Sequence, residues 1–237
     1  MISQLPDGLL VKILSSLPTT KDVVATSVLS KQWRSLWKRV PNLTFNFNRG
    51  NDIQGFSDSV QRTMLSIEAP YLQSLHLDVS LGEDDRMDDF GEYPIVLDKC
   101  QSLETLKLRG DFGSIALEVP SPVCLKSLTI LHLEDLFYED DESVVNLLAG
   151  CISLEDLFVT RWGDDGLETF TVAVPSLQEL TIEDNVPTGC NFNQLEHLQL
   201  ITGYLPSWNP LMVMLDNSPN LQVLEIISVS IALVHLS

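Results

Sequence analysis

The chain has 237 residues, 44% of them hydrophobic, enough for a sizeable core, and a net charge of −19. Its four cysteines (Cys100, Cys124, Cys151, Cys190) lie 24, 27 and 39 residues apart with no C-x-x-C pair, which excludes a zinc signature and a disulfide-dense secreted scaffold. Residues 1–50 hold seven basic and two acidic residues (+5) and the remainder seven basic and 31 acidic (−24); this step implies two modules with different partners, and the acidic one would repel nucleic acid.

The chain starts M-I-S-Q-L-P-D, without a charged leader and apolar run, so no signal peptide is expected. The first element is a helix over L-P-D-G-L-L-V-K-I-L-S-S-L-P. Pro6 suits the first helical position, Asp7 the positive end of the helix dipole, and Pro18 closes the element. Leu5, Leu9, Ile13 and Leu17 recur every four residues, and Leu10 and Leu14 widen the stripe. Thr19-x-x-Asp22 has capping-box spacing for a second short helix with Val23, Val24 and Val28 on its apolar side. Ser30 then reads as the N-cap of a third helix, K-Q-W-R-S-L-W-K-R-V, ended by Pro41, with Trp33, Leu36 and Trp37 on one face. Forty residues seldom make a self-sufficient core without metal or disulfides, so this module is expected to lean on a partner.

The run from I-S-Q-L-P-D-G-L-L-V-K-I-L to L-S-K-Q-W-R-S-L-W resembles the F-box of the plant F-box/leucine-rich-repeat family, whose members often carry an FBD module; the match covers residues 2–40 almost without gaps. The resemblance implies docking onto a small acidic Skp-type adaptor and, through it, a cullin–RING ligase. Leu5, Pro6, Leu9, Ile13, Leu14, Leu17 and Pro18 match the family's leucine–proline motif and first helix, and Val28, Leu29, Trp33 and Trp37 its later apolar positions. These eleven are the expected adaptor contacts, and the local charge of +5 suits an acidic adaptor.

Next, F-S-D-S-V-Q-R-T-M-L-S-I places Phe56, Val60, Met64 and Ile67 on one helical stripe, a helix expected to cap the N-terminal end of the second module. The pattern L-x-x-L-x-[LIV] then occurs seven times, with first leucines at Leu72, Leu103, Leu128, Leu154, Leu177, Leu195 and Leu221. The steps are 31, 25, 26, 23, 18 and 26 residues, averaging within the roughly 20–29 residue period of leucine-rich repeats. Each repeat contributes a short strand whose leucines are buried only by its neighbours. Cys100 and Cys151, three residues before pattern leucines, read as small core residues. Ser143 to Gly150 reads as a helix on the convex side.

The fold class is therefore α/β: a short all-α F-box (1–47), a linker and capping helix (48–70), then about seven repeats (71–237) forming a solenoid with a curved parallel sheet and no C-terminal cap. Outward strand residues form the expected recognition surface for a substrate protein, represented by His76, Lys107, His132, Glu155, Phe158, Glu179 and His197, with Phe158 the foremost contact. Their acidic bias fits a basic or polar partner as well as it fits simple solubility.

No catalytic, cofactor or metal site is expected. Two D-F-G triplets (89–91 and 111–113) lack every other kinase motif. The acid runs 83–85, 88–89 and 139–142 lack calcium-loop spacing and read as solvated loops, and the histidines form no H-x-x-x-H pair. The expected role is the substrate-recognition subunit of a Skp–cullin–F-box ubiquitin ligase, itself non-catalytic. The alternative is a leucine-rich-repeat interaction protein outside any ligase. An intracellular location, cytoplasm or nucleus, with no membrane contact is expected, since the apolar tail Ile226–Leu236 is only eleven residues long. Because family members usually continue into further repeats and an FBD module, the last repeat is expected to be frayed, as in a truncated or alternative product.

Overall fold

A computed structural model describes residues 5–47, 53–68, 72–79, 97, 100–110, 114–119, 121–161, 165–183, 189–190, 192–202 and 208–228. The D-F-G triplets, the acid runs 83–85 and 88–89 and the tail 229–237 lie outside the described residues.

Three helices lead: α1 (Asp7–Leu14), α2 (Thr20–Ala25) and α3 (Trp33–Leu36), the last two each followed by a 3-10 turn. Pro6 is extended (φ −58°, ψ 145°) and flanks α1, so Asp7 opens the helix. Thr19 caps α2 as expected, its Oγ1 accepting the Asp22 N–H at 3.2 Å and donating to the Asp22 carboxylate at 2.7 Å. Ser30 does not cap the third helix. Its carbonyl accepts the Arg34 N–H at 3.2 Å, but its hydroxyl takes no hydrogen bond from the helix's first turn. Gln32 instead donates to the Asp7 carboxylate at 2.9 Å, tying α3 to α1. Leu10, Leu14, Val23, Trp33, Leu36 and Val40 are buried in this bundle.

Strand β1 (Asn42–Phe47) follows at once, then helix α4 (Ile53–Ser66) and strand β2 (Ser74–Val79). The remaining elements are β3 (Thr105–Arg109), β4 (Ala116–Leu117), β5 (Ile130–Glu134), β6 (Phe137–Tyr138), α5 (Asp141–Ala149), β7 (Asp156–Thr160), β8 (Thr171–Val172), β9 (Glu179–Glu183), β10 (Gly189–Cys190), β11 (His197–Thr202), α6 (Trp208–Asp216) and β12 (Val223–Ser228). Eight strands form one parallel sheet in the order β1-β2-β3-β5-β7-β9-β11-β12, each beside its predecessor, while β4–β6 and β8–β10 are separate two-stranded ladders.

The register runs straight across the sheet. Leu75, Leu106, Leu131, Leu157, Leu180 and Leu198 form one inward row, and Leu77, Leu108, Leu133, Val159, Ile182 and Leu200 a second; none is more than 2% exposed. At about 1.5–3 kcal/mol for each fully buried side chain, these rows are the main source of the sheet's stability. The backbone repeats with equal regularity. The carbonyls of Pro41, Gln73, Glu104, Thr129, Glu155, Gln178 and Glu196 each accept two successive N–H groups from the next strand's start, at 2.7–3.1 Å, so both lone pairs are used. The last strand, β12, carries Leu224 and Ile226 on these rows at 40% and 44% exposure.

The sheet begins one strand earlier than the leucine pattern. In β1, Leu43, Phe45 and Phe47 point inward and Asn42, Thr44 and Asn46 outward, and the strand pairs residue for residue with β2. Helix α4 packs on β1, buries Val60 and Met64, and sets Phe56 edge-on to Phe47 with ring centroids 5.3 Å apart. It is therefore the connection between two paired strands. The Thr44 N–H donates to the buried Thr20 hydroxyl at 2.8 Å and the Glu68 N–H to the Lys38 carbonyl at 2.9 Å, which joins the helical bundle to the sheet.

The acid run 139–142 is structural in part. Asp140 caps α5, accepting from the Ser143 N–H at 2.7 Å, and Asp141 accepts from the Glu168 and Thr169 N–H groups and the Thr169 hydroxyl. The Thr169 hydroxyl holds the Asp141 carboxyl below the usual carboxylate range. Cys100 and Cys151 are buried in the core, and burial pushes the Cys151 thiol up to about 12.

Candidate functional site

The helical bundle leaves four large apolar side chains in solvent: Leu9 (48% exposed) and Ile13 (39%) on α1, and Val28 (85%) and Leu29 (62%) just past α2. The apolar stripe of α1 is wider than its buried face, because Leu10 and Leu14 already fill the contact with the other helices. The eleven expected adaptor contacts thus divide by position. Pro6, Leu9, Ile13, Pro18, Val28 and Leu29 are exposed; Leu5, Leu17 and Trp37 are half-buried against the core; Leu14 and Trp33 are buried within it. Around them Lys12, Lys21, Lys31 and Arg34 are exposed, while Arg39 lies 3.5 Å from the Asp7 carboxylate.

The second surface is the open face of the parallel sheet, opposite the leucine rows. Its central row reads Thr44, His76, Lys107, His132, Phe158, Thr181, Gln199 and Glu225, one residue per strand. On one side runs Asn42, Ser74, Thr105, Ile130, Asp156, Glu179, His197 and Val223, and on the other Asn46, Asp78, Arg109, Glu134, Thr160, Glu183, Ile201 and Ile227. Six of the seven expected substrate contacts fall on two adjacent rows: His76, Lys107, His132 and Phe158 on the central one, and Glu179 and His197 beside it. Glu155 lies just before β7, exposed, with its carbonyl engaged by β9.

The middle of this face is an aromatic pair, the His132 and Phe158 rings, with centroids 5.3 Å apart. Glu134 lies 3.8 Å from the His132 ring nitrogen and 3.7 Å from Arg109. The neighbouring His132 ring, with Arg109 behind it, holds the Glu134 carboxyl below the usual range. Burial, and secondarily nearby Lys107, pushes the His76 imidazole below its ordinary value. Charge is graded along the sheet: β3 carries Lys107 and Arg109, whereas β7, β9, β11 and β12 carry Asp156, Glu179, Glu183 and Glu225 with no Lys or Arg. Arg161, just past β7, is held by a buried Asp165 at 2.6 Å.

The third row, with Arg109, Glu134 and Glu183, escapes the sequence reading. The signal was present in the alternation, which runs one residue beyond the final leucine of each pattern. Among the described residues no group of three or more His, Cys, Asp or Glu side chains could hold a metal ion, and no helix is long and apolar enough to cross a membrane. What the arrangement offers chemically is charge, hydrogen bonding and an apolar plate, spread over a broad regular face.

Fold and surfaces together define a class: a repeat-built parallel sheet fused to a small helical head that presents apolar side chains. The F-box domain model matches residues 2–45. An F-box/FBD/LRR-repeat protein of Arabidopsis thaliana is 47% identical over 205 residues, covering 76% of this chain and 46% of the relative. An F-box/LRR-repeat protein of the same plant is 46% identical over 210 residues (78% and 67%), and another F-box/FBD/LRR-repeat protein 37% identical over 326 residues (95% and 70%). The chain belongs to the plant F-box/FBD/LRR-repeat family, and it spans about half to two thirds of the length of these relatives.

Proposed function

We propose that this chain is the substrate-recognition subunit of a Skp–cullin–F-box type ubiquitin ligase, working in the cytoplasm or nucleus. The helical head docks a Skp-type adaptor, and the repeats, wound as a solenoid with a curved sheet, hold the target protein on the open face. The chain performs no chemistry of its own. It raises the local concentration of the target beside a ubiquitin carrier held elsewhere in the complex, which turns a bimolecular encounter into a local one.

The observation that carries this reading is the exposure of Leu9, Ile13, Val28 and Leu29 on a module matched by the F-box model. Apolar side chains of this size in solvent on a small bundle gain by burial in a partner, at about 25 cal/mol per Å². The surplus of positive charge in residues 1–50 favours an acidic adaptor.

Co-expression with a Skp-type adaptor tests it. The wild-type chain should co-purify with the adaptor, and Leu9→Asp combined with Leu29→Asp should weaken capture by tenfold or more. Both side chains are already in solvent, so the fold should survive. Failure of the wild type to bind, or binding indifferent to both substitutions, would leave the chain as a leucine-rich-repeat interaction protein outside the ligase.

A further inference from the structure

We propose that the open face of the sheet receives a Lys- or Arg-rich protein segment carrying an apolar side chain, seated with that side chain on the His132–Phe158 pair and its cations over β7 to β12. This rests on reading the sheet as the target-binding surface and adds the chemistry of the target.

Charge complementarity sets the orientation. Asp156, Glu179, Glu183 and Glu225 point outward from the last four strands, which contain no Lys or Arg. Among the described residues Asp156, Glu179 and Glu183 have no ion pair. Glu225 accepts from the Gln199 side-chain amide at 2.7 Å and lies 3.9 Å from the His197 ring nitrogen. At the opposite end, Arg109 is beside Glu134 at 3.7 Å, so the cations of β3 are partly spent within the face.

The apolar anchor has its own place. Phe158 and His132 pack ring to ring at 5.3 Å, with Ile130 in the adjoining row of the same sheet, forming a half-buried plate in the middle of the face, apart from Ile201, Val223 and Ile227 on its last two strands. An aromatic centred among polar neighbours is the kind of residue that dominates an interface when covered. From β5 to β12 the sheet advances four strand spacings of about 4.8 Å, so the full site is about 19 Å long, the span of about six residues of extended chain.

The test uses the full chain and three fluorescent synthetic peptides of about ten residues: one of Lys interspersed with Leu and Phe, one with every Lys replaced by Glu, and one with every Leu and Phe replaced by Ser. The first should bind at least tenfold tighter than either other and weaken as salt rises. Phe158→Ser, and separately Glu179→Lys with Glu183→Lys, should each lower its affinity about tenfold, while Glu142→Lys, the same kind of charge change on α5, should not. Matching circular dichroism melts show that the variants remain folded. No binding of the first peptide, equal binding of the acidic one, or equal losses in the Glu142 control overturns the proposal. Adaptor capture measured on the same preparations separates the two readings. Peptide binding without adaptor capture defeats the ligase role alone; the reverse defeats the basic-segment proposal alone.

Discussion

Asp165→Ala would remove the anionic partner of a guanidinium enclosed by the protein. The Asp165 carboxylate is 2% exposed and accepts from Arg161 Nε at 2.6 Å, from Arg161 Nη2 at 2.9 Å and from the Leu167 N–H at 3.2 Å. Arg161 itself is 10% exposed and lies 5.3 Å from the Phe170 ring centroid. A guanidinium cannot shed its proton, so without Asp165 it stays charged with little water to replace the lost partner. Breaking such a pair from one side costs about 3–5 kcal/mol, a large share of a total stability of about 5–15 kcal/mol. Replacing both sides by apolar residues, Arg161→Met with Asp165→Leu, leaves no stranded charge and should cost about 2 kcal/mol or less. Urea unfolding of Arg161→Met, Asp165→Leu and the double variant, followed by far-ultraviolet circular dichroism, closes the double-mutant cycle, with an expected coupling of at least about 2 kcal/mol. If the single substitution costs under about 1 kcal/mol, or the two changes simply add, the pair does not hold the end of β7 as described.

Three further outcomes rest on the geometry. His76 faces Lys107 and His132 as well as Asp78 and Glu134, and its folded imidazole is held below the ordinary value of about 6.5. Its contribution to stability is therefore complete above about pH 6.5 and fades as pH falls toward the folded value; His76→Gln should flatten that part of a pH–stability curve measured by urea midpoint, and an unchanged slope would contradict the assignment. A Cβ on Gly150, at the end of α5, would lie 2.0 Å from the Val123 backbone carbonyl, so Gly150→Ala should cost about 1–3 kcal/mol in thermal or urea unfolding. Gly8→Ala, with open space around it inside α1, should instead stabilise by about 0.5–1 kcal/mol.

The strands that the leucine pattern marks were legible because each must bury two or three leucines against its neighbours, and that demand fixes both spacing and alternation. Strand β1 meets the same demand with Leu43, Phe45 and Phe47, but Val40 and Phe45 stand at the first and last positions of the leucine pattern, so the pattern passes over it. The ladders β4–β6 and β8–β10 have two residues per strand, too few to carry a period. Helix α6 was hidden by a continuous apolar run, L-M-V-M-L, and by Pro210, which falls within its first turn, where proline is tolerated. On the helical head the sequence names a stripe without saying which edge is covered. Leu14 and Leu9 look alike in a heptad, and only the position of α3 puts the first in the core and leaves the second in solvent. The open face was legible residue by residue from alternation, but its rows, and hence the gradient from Lys107 to Glu225, arise from inter-strand register, which no single repeat encodes.

Strand β1 belongs to two things at once: the stretch matched by the F-box model ends inside it, and it is also the first stave of the sheet. The head is bolted on through Thr20, Lys38 and Pro41, each bonded to backbone of the repeat portion. Distance from the head is therefore counted in strands, about 4.8 Å apiece. The sheet acts as a ruler. A ligand gripped at Phe158 sits four strand spacings from β1, about 19 Å. A homologue that gained or lost one repeat ahead of that grip would shift its cargo by a whole graduation relative to whatever the head is fastened to. Under the ligase role proposed above, repeat number would then act as a setting of reach, separable from the residues that choose the cargo.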